Sequence, residues 1–327
     1  MGYGSYSLEA HQAIVAARDP ATMRFASVFD PKMNPLGKPA RESRDSAEHP
    51  NSLSIVFALD VSTSMGAIPK SLAAKTLPTF MEATMAFVPS PQILFMAFVD
   101  ARYWRGEWLA LQVGQFESEA ALIDRWLAAT YIPEGDGPFE IPPEYIGESY
   151  DLAMYYAARH TVTDCLQKRG KRGYFFMTGD EPPFAQVDPA HIRSAIDPQA
   201  QTGMPVHQLV AELERAYEPF FLIPDRARAA RDDCARIYRK LFHERCIVLE
   251  DADDTAVVAA TLIGIGERAL TTRAEIEARV ESAFDRHGEA RDRVVRAVLP
   301  YAEALARGPI APPERVSQRA DCPAAAV

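Results

Sequence analysis

Residues Ser54 to Gly66 read SIVFALDVSTSMG, and they join a buried strand to a tight cluster of oxygen side chains. Ser54 to Leu59 is an apolar run without polar alternation, the pattern of a parallel strand covered on both faces. Where it ends, Asp60, Ser62 and Ser64 stand at alternate positions, Gly66 lets the chain turn, and Pro69 suits the start of a helix. One carboxylate and two hydroxyls grouped in this way suit Mg²⁺, Mn²⁺ or Ca²⁺. Asp and Ser also follow strands simply as helix caps, so the motif alone leaves both readings open.

A second acidic strand end favours the metal. Gly173 to Thr178, GYFFMT, is another aromatic and apolar strand, and it runs into Gly179-Asp180-Glu181. In an open parallel sheet, ligands gather outside the carboxyl ends of the strands, so two such ends converge on one site although they lie far apart in sequence.

Asp60-Val61-Ser62-Thr63-Ser64 resembles the DxSxS signature of von Willebrand factor A domains, and Thr178-Gly179-Asp180 is similar to the later Asp loop of the same metal-ion-dependent adhesion site. The likeness spans Ser52 to Glu267 and is nearest to stand-alone bacterial members. It implies a Rossmann-like α/β fold with a mainly parallel central sheet flanked by helices. It also implies a divalent cation, Mg²⁺ ahead of Mn²⁺ or Ca²⁺, held by Asp60, Ser62, Ser64 and Asp180, and a partner protein that offers an acidic side chain. Bacterial members work beside MoxR-type AAA+ ATPases, so such an ATPase is the partner that the resemblance suggests. One departure stands out: family members supply a Thr from a Gly-rich loop, whereas Glu134 to Ser149 contains none. Asp136, Glu140, Glu144 and Ser149 are the candidates to replace it. An added carboxylate would make the site more anionic and weaken its attraction for an acidic ligand.

The chain has 327 residues, 48% of them hydrophobic, enough for one large α/β core with appendages. Its net charge of -10 argues against an extended nucleic-acid or anionic-membrane surface. The dense basic run Lys168-Arg169-Gly170-Lys171-Arg172 reads as a solvated turn at a helix C-terminus. Four cysteines, Cys165, Cys234, Cys246 and Cys322, show neither close pairing nor zinc spacing, which points to a reducing cytoplasm. The first residues do not read as a secretory signal, and no apolar stretch has membrane-spanning length.

Residues 1–51 read as a short helix, Ser7 to Arg18, and an extended segment that wraps the sheet as an edge; 52–270 form the main domain, 271–307 a helical extension, and 308–327 a disordered tail. Within the main domain we expect helices at Lys70 to Phe87, Ser118 to Ala129, Ile146 to Thr161, Val206 to Ala216, Arg226 to Phe242 and Asp253 to Leu270. Strands are expected at Ile93 to Val99, at Glu107 to Val113 as an antiparallel edge, at Glu218 to Ile223 and at Cys246 to Leu249. Asp100 reads as a turn residue, Tyr150, Leu152, Met154, Tyr155 and Tyr156 as packing, and Pro182-Pro183-Phe184 as a rigid projection beside the site. Gly288 should break the last helical stretch.

The favoured function is a non-enzymatic, metal-dependent protein-interaction module, adhesive or scaffolding. A rival is a metal-assisted hydrolase or phosphoryl-transfer enzyme with Glu181, Asp136, Glu140 or Glu144 as base. It lacks a GxxxxGK[ST] phosphate loop, a DxDxT nucleophile and a GxSxG elbow. A third reading is a metal-free scaffold with a vestigial site.

Overall fold

The computed structural model describes residues 29–73, 77–103, 109–133 and 148–316. The expected helix at Ser7 to Arg18, the site candidates Asp136, Glu140 and Glu144, and Cys322 lie outside them. The strands are β1 (Arg41–Ser43), β2 (Leu53–Asp60), β3 (Pro91–Phe98), β4 (Leu111–Val113), β5 (Thr161–Thr163), β6 (Gly173–Thr178), β7 (Gln186–Val187), β8 (Met204–Pro205), β9 (Tyr217–Ile223) and β10 (Cys246–Val248). The helices are α1 (Ile68–Ser71), α2 (Leu77–Met85), α3 (Ala120–Ala129), α4 (Tyr150–Arg159), α5 (Asp164–Arg169), α6 (Pro189–Ala195), α7 (Val206–Ala216), α8 (Arg226–Ala230), α9 (Cys234–Phe242), α10 (Thr255–Gly266), α11 (Arg273–Phe284) and α12 (Glu289–Arg307).

Six strands form the central sheet in the order β10-β9-β6-β2-β3-β4. All its pairings are parallel except β3 with β4, where Met96 faces Val113 and Phe98 faces Leu111. This is a Rossmann-like α/β fold. Every residue of β2, β3, β6 and β9 is buried, because helices cover both faces and alternate side chains feed two separate cores. On one face Phe57, Phe176 and Phe220 stack in a row, with ring centroids 5.7 and 5.2 Å apart. Helices α2, α10 and α12 close that side. On the other, Val56, Ala58, Phe175, Met177 and Phe221 meet α4, α7 and α9. Helix α10, TAVVAATLIGIG, is apolar all round and buried from Thr255 to Ile265, as a helix enclosed between others must be.

Several expectations change in detail. The stretch from Arg226 to Phe242 is two helices, not one. Asp232 and Asp233 take left-handed backbone, φ 49° and 59°, a conformation that Asp tolerates better than most residues. The extended N-terminal segment does not edge the central sheet: Arg41–Ser43 pairs in parallel with Thr161–Thr163 in a small sheet of its own. All four basic residues of the 168–172 turn are paired, Lys168 with Asp164, Arg169 with Asp45, Lys171 with Glu267 and Arg172 with Glu218, so the run fastens neighbouring segments rather than solvating a turn alone. Pro182, Pro183 and Phe184 are half-buried rather than projecting. Gly288, φ 55°, separates α11 from α12 as expected, and both pack on the domain through Ile276, Val280, Val294, Val298 and Tyr301. Beyond α12 the chain returns to α9, where the Glu314 N–H donates to the Lys240 carbonyl (2.7 Å). Among the described residues no helix is long and apolar enough to cross a membrane.

Candidate metal site

Strand order places the site. From β2 the chain moves one way to β3 and β4, then returns to lay β6 against the other side of β2. The ends of β2 and β6 therefore flank the point where connections diverge, the place where open α/β sheets gather ligands. Asp60 closes β2, and Gly179-Asp180 follows β6.

The turn after β2 is pinned by fully buried Met65 and reversed at Gly66, φ 57°, so Ser62 and Ser64 face back toward the strand ends. Asp60 Oδ1 accepts from the Ser62 N–H (2.9 Å) and the Ser62 hydroxyl (2.5 Å). The Ser64 hydroxyl donates to Asp180 Oδ1 (2.7 Å), and the two serine oxygens lie 3.0 Å apart. The four residues named from sequence thus form one continuous chain: Asp60, Ser62, Ser64, Asp180. Both carboxylates are fully buried.

Tyr150, at the first position of α4, is the hub of the site. Its hydroxyl donates to Asp60 Oδ2 (2.8 Å) and accepts from the N–H groups of Asp180 (3.2 Å) and Glu181 (3.1 Å). Its ring stands edge-on to Phe98, Phe221 and Tyr238. Gly179 is required beside it, since a Cβ there would lie 2.2 Å from Tyr150 Cε1. Sequence reading assigned Tyr150 to packing alone and so found half of its role.

Three further residues escaped it. Glu148 is buried, a backbone bridge joins it to Pro183, and its Oε2 has no hydrogen-bond partner. Burial first, then Asp60 and Asp100, pushes its carboxyl well above the usual range. Arg228 donates from Nε to Asp180 Oδ2 (3.1 Å), from Nη1 to Asp225 Oδ2 (2.5 Å) and from Nη2 to the Ser64 carbonyl (3.0 Å). Arg231 Nη1 adds a longer bond to Asp180 Oδ2 (3.3 Å). The strand-end rule that found Asp60 and Asp180, applied to β9, would have pointed to Asp225 and the short helix α8 that follows it. Ser149 is occupied: its Oγ accepts from the Ala101 N–H (2.9 Å) and ties α4 to the end of β3. Asp100 is the turn residue expected, gripped by the N–H and guanidinium of Arg102.

Burial, and then Asp180, raises the Asp60 carboxyl to about 7. The hydrogen bonds from Ser62 and Tyr150 favour the ionised form and offset part of that rise, and the serine pair poses a separate question of where its protons lie. With both carboxylates ionised, each serine proton points to its own acceptor-only carboxylate. The 3.0 Å contact between Ser62 and Ser64 then has two lone pairs facing and no proton between them. One extra proton on Asp60 resolves this, with Asp60 donating to Ser62, Ser62 to Ser64 and Ser64 to Asp180. A small cation facing the same lone pairs resolves it equally well. The donor set is all oxygen, the chemistry of Mg²⁺, Mn²⁺ or Ca²⁺, and in this respect Asp60, Ser62, Ser64 and Asp180 fit such an ion. Among the described residues no three His, Cys, Asp or Glu side chains form a metal-holding group by themselves, so an ion at this place would depend on the hydroxyls.

No protein-family model and no curated protein matches the chain. Among solved structures, the pilus adhesin SpaC of Lactobacillus rhamnosus GG in its open conformation is 12% identical, covering 69% of this chain and 31% of the adhesin at a TM-score of 0.41. A second crystal structure of that adhesin is 9% identical over 81% of this chain and 32% of its own, at a TM-score of 0.33. The chain thus spans about a third of the adhesin's length, and at these TM-scores the likeness carries no argument about activity.

Proposed function

We propose that this protein is a non-enzymatic, metal-dependent interaction module of the von Willebrand factor A type, which binds a partner protein at the carboxyl rim of its sheet. The observation that supports this most directly is the facing pair of serine oxygens, held 3.0 Å apart between two buried carboxylates. Asp60, Ser62, Ser64 and Asp180 would hold the ion, Mg²⁺ first, and Tyr150 orients both loops around it. When bound, the ion supplies an electrophilic position for an oxygen of the partner, such as an acidic side chain. A MoxR-type AAA+ ATPase is the partner class suggested by the resemblance to bacterial members. A cytoplasmic setting agrees with the three described cysteines, Cys165, Cys234 and Cys246, which are buried and unpaired with one another.

One observation favours a second reading, a scaffold that has dispensed with the metal: Arg228 and Arg231 already place positive charge on Asp180. Calorimetric titration of Mg²⁺ and Mn²⁺ into chelator-treated protein separates the two. The metal reading expects saturable binding that Asp60→Asn and Ser64→Ala weaken by ~10-fold or more, with folding checked by circular dichroism. Heat signals that do not saturate with folded wild-type protein would decide for the metal-free scaffold.

A further inference from the structure

The segment from Asp225 to Asp233 lies beside the site and is held by charge more than by apolar packing. Helix α8 buries no residue, with Ala229 leaning on the core. Its attachment runs through guanidinium groups: Arg226 to Glu250 (2.8 Å), Arg228 to Asp180, Asp225 and the Ser64 carbonyl, and Arg231 to Asp180. Two of those acceptors, Asp180 Oδ2 and the Ser64 carbonyl, belong to the metal site itself. Behind them Asp232 and Asp233 hold consecutive left-handed backbone, a strained arrangement for non-glycine residues that relaxes if the segment is released. A guanidinium and a divalent cation on the two oxygens of one buried carboxylate repel each other, so binding of the cation weakens the guanidinium contacts. Arg231 is the weaker hold, since its side chain is 44% exposed against 23% for Arg228.

We propose that Arg228 and Arg231 are an internal counter-ion to Asp180 that competes with the divalent cation, so that the 225–233 segment is latched on the site without the cation and released when the cation binds. This rests on the cation-binding reading above. It accounts for both observations that otherwise pull apart, the oxygen-lined site and its arginines, by assigning them to two states of one molecule. Release would uncover the rim where a partner's oxygen must enter, so the cation and the opening of the surface are coupled.

The test uses the full chain, wild type beside the Arg228→Gln/Arg231→Gln double variant, with Mg²⁺ as the probe. Backbone hydrogen exchange over residues 226–233 is followed by mass spectrometry with chelator and with Mg²⁺, and Mg²⁺ affinity is measured by calorimetry. We expect the wild-type segment to be protected in chelator and to exchange faster with Mg²⁺. The double variant should exchange fast in both conditions and bind Mg²⁺ at least ~5-fold more tightly. Arg231→Gln alone, at an exposed position, should move both readouts in the same direction by less, which keeps the test open if the double variant folds poorly. Equal affinity in variant and wild type, or exchange that Mg²⁺ does not change, overturns the latch while leaving the site intact. No saturable Mg²⁺ binding by any of the three proteins overturns the site reading and the latch together.

Discussion

Tyr150 carries more of the site than any residue named from sequence. A single hydroxyl meets Asp60 and the backbone of both Asp180 and Glu181, so it sets the spacing of the β2 and β6 loops. Removing it takes a hydrogen-bond partner from buried Asp60 and from the Asp180 N–H, and Tyr150→Phe should cost ~1–3 kcal/mol of stability by urea unfolding. An unchanged unfolding midpoint would mean that the loops are held elsewhere. The four residues read from sequence, Asp60, Ser62, Ser64 and Asp180, were legible because the strand-end rule needs only an apolar run and the polar residues that follow it. Tyr150 was not, because an aromatic at helical spacing reads as packing, and its ring does pack against Phe98, Phe221 and Tyr238.

At the level of elements, α4 enters the core with an unusual burden. Asp151 at its second position is fully buried and neither carboxylate oxygen has a hydrogen-bond partner. Burial raises its carboxyl from the ordinary 3.8 to about 7, offset in part by the nearby N–H groups of Asp151 itself and Leu152, which stand outside hydrogen-bond geometry. The folded state therefore holds this proton more tightly than the unfolded chain does. The contribution of the group to stability is complete below pH ~4 and is lost as pH rises through ~7, by up to ~1.4 kcal/mol per pH unit. Asp60 and Glu148 shift in the same direction, so Asp151→Asn should flatten only part of the decline, raising the melting temperature at pH 8 and leaving it nearly unchanged at pH 4. A variant that melts in parallel with wild type at every pH between would exclude Asp151 as a source of the slope. The division of Arg226 to Phe242 into α8 and α9 belongs to this scale too. Its apolar spacing suits one helix, whereas the structure breaks it at Asp232 and Asp233 and sets Arg228, before the break, on Ser64 and Asp180.

Across the whole molecule, two cores share one sheet, and the C-terminal helices complete one of them. Tyr301 on α12 is 1% exposed and stands edge-on to Phe220 of β9, ring centroids 4.9 Å apart. Tyr301→Ala should therefore destabilise the domain by ~3–5 kcal/mol, read as a fall in both thermal and chemical midpoints. A change below ~0.5 kcal/mol, as expected for surface sites, would mean that α12 is an appendage. The apolar stripe from Ile276 to Leu305 was visible in sequence, but its destination was not. The same stripe serves packing in cis or contact between chains, and the choice depends on which surface of α10 lies bare beside it.

The sequence by itself determined the strand-helix alternation, the apolar strands β2 and β6, and the two polar strand ends that make the candidate site, because these are local patterns of hydrophobicity and side-chain type. Only the tertiary structure decided that β6 returns to the side of β2, that Tyr150 joins both loops, that Glu148 is left buried beside them, and that Arg228 and Arg231 neutralise Asp180. Those facts depend on which distant segments become neighbours. A buried charge selects its partner through space, where the distance along the chain has no bearing on the energy of the contact.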